Sequence, residues 1–278
     1  MSGASGPQLR RIVAALGGWP HDEAKLLLAA HLARRLDAEL AGLFLEDAEL
    51  LEVASLSVPT YLVHTTERRR LDLVSVERGF RVEARRLRRL VASVSERQLV
   101  RWSFAVRRVR TCEDVARQLG ADELLILAPQ GRAERRRRLG EAMSCHAVPA
   151  ILILEPGRRR PRSHVAIFDE GQDTVLTAGA RLAGALEAAL TVLPVRNGEG
   201  APPADAERSL HDWHEGLPLP AEIARPVAGD AGSLQEALER LDPDVVVIGR
   251  EGRVSNLGAD TLDALIGPRA VLIPGDRR

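Results

Sequence analysis

The sequence predicts a doubly wound α/β protein built from two copies of one unit, and three observations indicate this class. Aliphatic runs of four to six residues lack polar alternation, as strands buried on both faces of a parallel sheet do. Segments of helical character separate these runs, which is the β-α-β order of such sheets. The whole series of runs then occurs a second time along the chain.

The repeat is clearest around the fourth and fifth strands of each unit. The stretch DELLILAPQGR (122–132) matches PDVVVIGREGR (243–253) in an acidic residue, four aliphatic residues, a small residue and a final Gly-Arg. Further on, PAILIL (149–154) matches RAVLIP (269–274). These pairs predict the same two strands in each half.

The first and second strands repeat in the same order. RIVAAL (11–16) matches HVAIFD (164–169), and AELAGLFL (38–45) matches AALTVLPV (188–195). Because such a series of matches in one order is hard to obtain by chance, we infer a tandem duplication.

Helices are predicted between the strands. One covers about residues 22–37, after the first strand. A longer one carries an apolar stripe at helical spacing, with arginines on its other faces. The stripe consists of Leu73, Val76, Phe80, Ala84, Leu87, Val91 and Val94. The counterpart of this helix in the second half is the much shorter region 205–215.

Capping signals precede the fourth strand of each half. Thr111 and Asp114 are three residues apart, and so are Ser233 and Glu236. In each pair the hydroxyl and the carboxylate can satisfy free backbone N–H groups at the start of a helix. We therefore expect one helix to start at Thr111 and another at Ser233.

The boundary between the halves is predicted at PGRRRPR (156–162). Its two prolines and four arginines do not suit a core element. The predicted domains are therefore residues 1–157 and residues 163–278, called the first half and the second half below.

The 278 residues are 45% apolar, which suffices for buried cores, and their 39 basic and 39 acidic residues are divided unevenly. Through Arg162 there are 29 basic and 20 acidic residues, whereas the rest of the chain has 10 and 19. Either the halves attract each other, within one chain or across a dimer, or the basic half meets an anionic partner. Nucleic acid is not the expected partner, because no aromatic residues stand among the exposed arginines for bases to stack on.

Composition also predicts the compartment. Two cysteines do not make a disulfide framework, and no apolar run approaches the roughly 18 residues of a membrane span. We expect a cytoplasmic protein without a membrane partner. No metal site is predicted, because His211 and His214 have no further cluster of ligands to complete a site.

The five strands per half, the small-x-x-Gly turn after the fourth strand and the tandem copy resemble the universal stress protein family, over essentially the whole chain. The resemblance implies two open five-stranded parallel sheets, flanked by helices, in the strand order 3-2-1-4-5. It also implies that the halves pair across their fifth strands, so that one chain mimics the family's homodimer.

Many members of this family bind ATP through G-2x-G-9x-G-(S/T) after the fourth strand, with an aspartate at the end of the first strand. In the first half Ala128 replaces the first glycine, while Gly131 matches the second. Gly140 comes one residue early and is followed by Glu141, and Gly17 stands in place of the aspartate. The first half therefore departs from the pattern at most positions.

The second half keeps more of the nucleotide pattern but not all of it. Gly249 and Gly252 are present, Asp169 ends the first strand, and Leu262 replaces the third glycine. The resemblance thus implies a degenerate site for ATP or AMP, with Asp169 at the ribose or base and backbone at the two glycines for phosphate. Arg253 would supply positive charge, and Gly131 is the corresponding candidate in the first half.

The sequence leaves three functional hypotheses. The first is a non-enzymatic regulatory or binding protein with that degenerate nucleotide site and no certain cofactor. The alternative is a nucleotide-independent scaffold that acts through protein–protein contacts between its charge-complementary halves, with a protein partner or a homodimer. The third is a weak ATP hydrolase, for which no positioned base or metal-binding carboxylate pair is visible.

Overall fold

The computed structural model describes residues 9–17, 22–56, 60–64, 67–111, 114–115, 117–144, 150–154, 164–196, 213 and 219–275, with the backbone alone for 60–64 and 67–71. The strands in this part of the chain are β1 (Arg11–Leu16), β2 (Glu39–Asp47), β3 (Thr60–His64), β4 (Glu67–Leu71), β5 (Trp102–Val109), β6 (Glu123–Leu127), β7 (Ala150–Ile153), β8 (His164–Asp169), β9 (Ala189–Arg196), β10 (Ala221–Ile223), β11 (Val227–Ala228), β12 (Val245–Val247) and β13 (Ala270–Ile273). The helices are α1 (Asp22–Arg35), α2 (Ala48–Ala54), α3 (Leu73–Gln98), α4 (Arg132–Ser144), α5 (Asp173–Leu186), α6 (Ala231–Leu241) and α7 (Ala259–Ile266), with a 3₁₀ turn at Ser255–Leu257.

One continuous sheet runs through both halves, in the order β10-β9-β8-β12-β13-β7-β6-β1-β2-β5, and β11 also pairs with β9. The first half contributes β5-β2-β1-β6-β7, and the second contributes β10-β9-β8-β12-β13. Within this sheet, the strands of each half pair in parallel. The predicted α/β class and the strand order 3-2-1-4-5 are confirmed in both halves.

The halves meet where the fifth strand of one pairs with the fifth strand of the other. This seam joins β7 and β13 in antiparallel register, with Leu152 opposite Leu272. Because the two strands run in opposite directions, the carboxyl ends of the first-half strands and of the second-half strands lie at opposite edges of the sheet. The two edges therefore offer two separate candidate sites.

Each face of the sheet carries its own apolar core. Alternate residues of β1 show this, since Ile12 and Leu16 belong to one core while Val13 and Ala15 belong to the other. The first core is covered by α1, α3 and α5, and the second by α4, α6 and α7. Strands buried on both faces explain why the sequence shows short aliphatic runs without polar alternation.

The first half contains a hairpin that the sequence analysis did not predict. Strands β3 and β4 pair antiparallel as a separate two-stranded sheet between α2 and α3. The predicted long helix is present as α3, and Leu87, Val91 and Val94 of its stripe are fully buried. At the start of the stripe, however, Leu73 is exposed.

The two predicted capping boxes have different outcomes. In the first half the N–H of Asp114 donates to Thr111 Oγ1 at 3.2 Å, and the N–H of Thr111 donates to the Asp114 carboxylate at 3.0 Å, which confirms the box. In the second half the prediction is wrong, because α6 begins earlier and Asp230 caps it by accepting the N–H of Ser233 at 2.9 Å. The predicted hinge 156–162 lies outside the described residues, so the domain boundary stays a prediction.

Charged side chains of the two halves meet across the seam. Arg135 of α4 is buried, and its Nη1 donates to Asp263 Oδ1 at 3.0 Å and to the carbonyl of Gly267 at 2.6 Å. Its Nη2 donates to the carbonyl of Arg269 at 2.7 Å. On the surface beside it, Arg136 pairs with Asp260 at 2.7 Å. At these two ion pairs, basic side chains of the first half thus meet acidic side chains of the second within one chain.

Candidate functional site

The candidate site of the second half lies at the carboxyl ends of β8 and β12. Parallel pairing sets Ile167 opposite Val247, so Asp169 and Gly249 follow at the same level of the sheet. The fold thus brings the end of the first strand next to the glycine loop that follows the fourth, as the sequence predicted. In open α/β sheets this edge is the usual place for ligands.

The carboxylate of Asp169 accepts hydrogen bonds from the backbone just before α5. Its Oδ1 accepts the N–H of Gly171 at 2.9 Å, and the N–H of Gln172 also donates to it. The side chain is largely buried, and burial raises the pKa of this carboxyl despite the two N–H donors. Asp169 therefore lies where the resemblance places it, but its carboxylate is already engaged by backbone.

Glu170, which the sequence analysis did not single out, lies against the glycine loop of the second half. Its Oε1 accepts the N–H of Arg253 at 2.6 Å, and the N–H of Val254 donates to the same carboxylate. These are backbone N–H groups of the loop that was predicted to hold phosphate. Because a carboxylate and a phosphate offer the same kind of acceptor oxygens, Glu170 takes the role that a ligand would have.

Gln172 occupies the space beside the first glycine. Its side-chain Nε2 donates to the carbonyl of Glu251, and a Cβ atom on Gly249 would overlap its amide oxygen. Arg250, within the loop, points away from the site to the seam, where it donates to the carbonyl of Ala142 at 2.5 Å and to that of Pro274 at 2.9 Å. The side chain of Gln172 on one side and the seam contacts of Arg250 on the other thus hold this loop in place.

The second glycine of the loop is required by backbone geometry. Gly252 has φ +134°, a conformation that side-chain-bearing residues rarely adopt, and a Cβ atom there would overlap the Glu170 carboxylate. We expect Gly252→Ala to lower the free energy of unfolding by about 1–3 kcal/mol. Urea unfolding measures this loss.

The matched control for that substitution is the corresponding glycine of the first half. A Cβ atom on Gly131 would meet nothing within 4 Å. We expect Gly131→Ala to change the free energy of unfolding by about 0.5 kcal/mol or less. Equal losses for the two variants would contradict the role assigned to Gly252.

Arg253 has an exposed side chain at the mouth of the site. Its aliphatic part packs beside Gly229, where a built Cβ would lie 3.1 Å from Arg253 Cδ. Its positive charge lowers the pKa of Glu170, whereas burial of that carboxyl raises the pKa more strongly. The charge that was predicted to serve a ligand therefore already acts on Glu170.

The raised pKa values of Asp169 and Glu170 predict a pH dependence of stability. Each carboxyl has a higher pKa in the folded chain than its ordinary pKa, which is 3.8 for Asp169 and 4.5 for Glu170. At pH values between the ordinary and the folded pKa, the folded state therefore binds more protons than the unfolded state. The stabilisation from these protons is complete below the ordinary values and is lost as pH rises through the folded values. We therefore expect Glu170→Gln to gain stability relative to the parent as pH rises from about 4 to about 8, in urea titrations. A difference that is constant with pH would contradict this.

The corresponding loop of the first half is also closed by a carboxylate. Gln130, next to Gly131, donates its N–H to Glu134 Oε2 at 2.8 Å. At the end of β1, Gly17 donates its N–H to Asp22 Oδ2 at 3.3 Å. Gly131 thus lies in a loop in which the N–H of the neighbouring Gln130 has a carboxylate of the same chain as its acceptor.

A buried ion pair, missed by the sequence analysis, lies beside the end of β1. Lys25 and Asp22 are almost inaccessible, with 2.9 Å between Nζ and Oδ1, and Nζ also donates to the carbonyl of Ala15. Burial lowers the pKa of Lys25, against the opposing effect of Asp22. The only signal in the sequence is that Lys25 is the single lysine among 39 basic residues.

In the described part of the chain, no group of three or more His, Cys, Asp or Glu residues could hold a metal ion. The pair His211 and His214 lies outside the described residues. In the same part of the chain, every helix is too short or too polar to cross a membrane.

Comparison with solved structures identifies the fold. A universal stress protein from Archaeoglobus fulgidus DSM 4304 superimposes with a TM-score of 0.63 at 12% identity, covering 96% of this chain and 97% of that one. The chain has the universal stress protein fold. A functionally unknown protein from Pseudomonas aeruginosa PAO1 gives a TM-score of 0.58 at 15% identity, covering 96% and 92% of the two chains.

A third structure with this fold is a proposed universal stress protein from Pseudomonas aeruginosa UCBPP-PA14, with a TM-score of 0.57 at 16% identity, covering 96% of this chain and 93% of that one. No protein-family model matches the sequence, and no curated protein matches it. At such identities the likeness establishes the universal stress protein fold in its full tandem length, and it carries no activity with it.

Proposed function

We propose that this protein is a non-enzymatic regulatory binding protein of the universal stress protein type, which acts in the cytoplasm through protein partners without needing a nucleotide. The observation that carries this proposal is the Glu170 carboxylate on the N–H groups of Arg253 and Val254. A phosphate entering the loop would have to displace this carboxylate and would meet its negative charge while doing so. The proposal therefore favours the scaffold alternative.

The surface of the first half supports an anionic protein partner. The outer face of α3 exposes arginines at helical spacing, namely Arg78, Arg81, Arg85 and Arg88. These side chains project away from the face of α3 that packs on the sheet. An acidic surface, on another protein or on a second copy of the chain, would complement them.

The second candidate function is nucleotide binding in the second half. It is favoured by Asp169 and Gly249 at one level of the sheet, and by Gly252 and Arg253 in the adjoining loop. ATP or AMP would then replace Glu170 on the loop. The site would be degenerate, because Leu262 stands where the third glycine of the family pattern is expected.

Calorimetric titration with ATP and with AMP, at low and at moderate salt, distinguishes the two candidates. The first proposal expects no saturable heat from the parent chain. The second expects saturable binding near one site per chain, lost in Asp169→Ala while that variant stays folded by circular dichroism. Saturable binding to both the parent chain and Asp169→Ala would contradict both site assignments.

A further inference from the structure

The two faces of the seam between β7 and β13 are covered differently. On one face, α4 and α7 pack against each other across the seam. On the other face, α1 and α5 flank the seam, and an ion pair of 2.5 Å between Arg35 and Glu187 joins them. On this face, a cavity of about 100 Å³ lies between α5 and residues of both halves at the seam.

The walls of this cavity are mainly apolar and come from both halves. Leu124 of β6, Leu272 of β13 and Leu182 of α5 line it, and each is less than 5% exposed. Thr174 and Thr177 add two hydroxyl groups from the same helix as Leu182. Binding of a hydrocarbon group against such an apolar wall is favourable, because it removes apolar surface from water.

Arginine residues line an open cleft that adjoins the cavity. Arg181 and Leu36 line both the cavity and an adjoining open cleft, so the two spaces form one groove. The other basic residues of the cleft are Arg34 and Arg35, of which Arg35 pairs with Glu187. The groove therefore combines an apolar inner part with a basic outer part.

We propose that this groove binds a small amphiphilic carboxylate, with its hydrocarbon group in the cavity and its charged group beside Arg181 and Arg34. The inner volume suits a short hydrocarbon group, since engineered apolar cavities of about 150 Å³ bind benzene. Arginine is the side chain best suited to hold a carboxylate through two parallel hydrogen bonds. The residues predicted for nucleotide binding do not line this groove, so the inference is independent of the proposed function.

The ligand would contact both halves at once. Since Leu36 and Leu124 belong to the first half while Leu182 and Leu272 belong to the second, occupancy favours the paired arrangement of the halves. A ligand that binds only the folded, paired chain raises its apparent stability by mass action. Occupancy of the groove would thereby make the seam responsive to a small molecule.

Hexanoate is the probe, with acetate and hexan-1-ol as its two controls. Acetate has the charge without the hydrocarbon group, and hexan-1-ol has the hydrocarbon group without the charge. In calorimetric titrations of the full chain, we expect saturable hexanoate binding that is at least about tenfold tighter than binding of either control. Absence of saturable hexanoate binding, or equal affinity for hexanoate and either control, would overturn the proposal.

Two substitutions test the place of binding. Ala178 lines the cavity, so Ala178→Phe fills it, and Arg181→Gln removes the charge at its mouth. We expect each to weaken hexanoate binding about tenfold or more, whereas Arg137→Gln, at an exposed arginine of α4, leaves it unchanged. Should Ala178→Phe fail to fold, Arg181→Gln alone decides. Undiminished binding by a folded Arg181→Gln variant would overturn the site.

Discussion

Arg135→Ala is expected to lower the free energy of unfolding by about 3–5 kcal/mol. The guanidinium is buried at the seam, within 3.0 Å of the Asp263 carboxylate and within 2.7 Å of the carbonyls of Gly267 and Arg269. Alanine would remove these donors at one step and leave a cavity between α4 and α7. Urea unfolding measures the loss, and amide exchange at β7 and β13 should accelerate because the seam opens more easily.

The control for this substitution lies two residues further along the same helix. Arg137 is about half exposed, and among the described residues it pairs within α4, with Glu141 Oε1 at 3.1 Å. We expect Arg137→Ala to change the free energy of unfolding by about 0.5 kcal/mol or less. Similar losses for Arg135→Ala and Arg137→Ala would show that the seam does not depend on Arg135.

The contacts of Arg135 also show that the two copies of a tandem chain can carry different side chains at the seam. In the repeat, Gly131-Arg132 aligns with Gly252-Arg253, so the residue that corresponds to Arg135 is Asn256. The seam is therefore approximately twofold in its backbone but not in its side chains. A homodimer must place the same residue on both sides of its axis, whereas a tandem chain can place a cation on one side and its acceptors on the other.

The sheet could be predicted from the sequence because strands buried on both faces leave a recognisable pattern there, namely short aliphatic runs. The aliphatic runs at 11–16 and 164–169 are strands because both faces of the sheet are covered. The hairpin at 60–71 leaves no such trace, since ERRRL in β4 is mostly charged. The spacing of Ser233 and Glu236 predicts a cap at Ser233, but Asp230, three residues earlier, accepts the N–H of Ser233 and caps the helix instead.

The position of the candidate site could be predicted from the sequence. Which group binds the N–H groups of its loop could not be predicted. The ends of the first and fourth strands had to meet, which brings Asp169 and Gly249 together. Whether a loop N–H faces a ligand or a protein carboxylate depends on a single side chain, and Glu170 belongs to no recurring spacing. Likewise, four consecutive arginines at 135–138 are typical of a solvated helix face, yet Arg135 is buried at the seam.

Lys25→Met is the second substitution with a large expected effect, again a loss of about 3–5 kcal/mol in the free energy of unfolding. It would remove the ammonium that lies 2.9 Å from the buried Asp22 carboxylate, and the carboxylate would keep its burial. The exposed neighbour Glu23 supplies the control, since Glu23→Gln should change the free energy by about 0.5 kcal/mol or less. A loss for Lys25→Met no larger than this control would contradict the prediction.

The double variant Asp22→Asn with Lys25→Met tests whether the ion pair or side-chain packing accounts for the loss of stability in Lys25→Met. Since it removes both charges, we expect it to be more stable than Lys25→Met alone, with a coupling of about 1–3 kcal/mol between the two sites. Lys25→Arg should still cost about 1–3 kcal/mol, because the larger guanidinium overfills the space between Asp22 and the carbonyl of Ala15. That cost would explain why one lysine stands among the 39 basic residues. Additive losses in the double variant would show that the two side chains contribute independently and that the ion pair between them does not account for the loss.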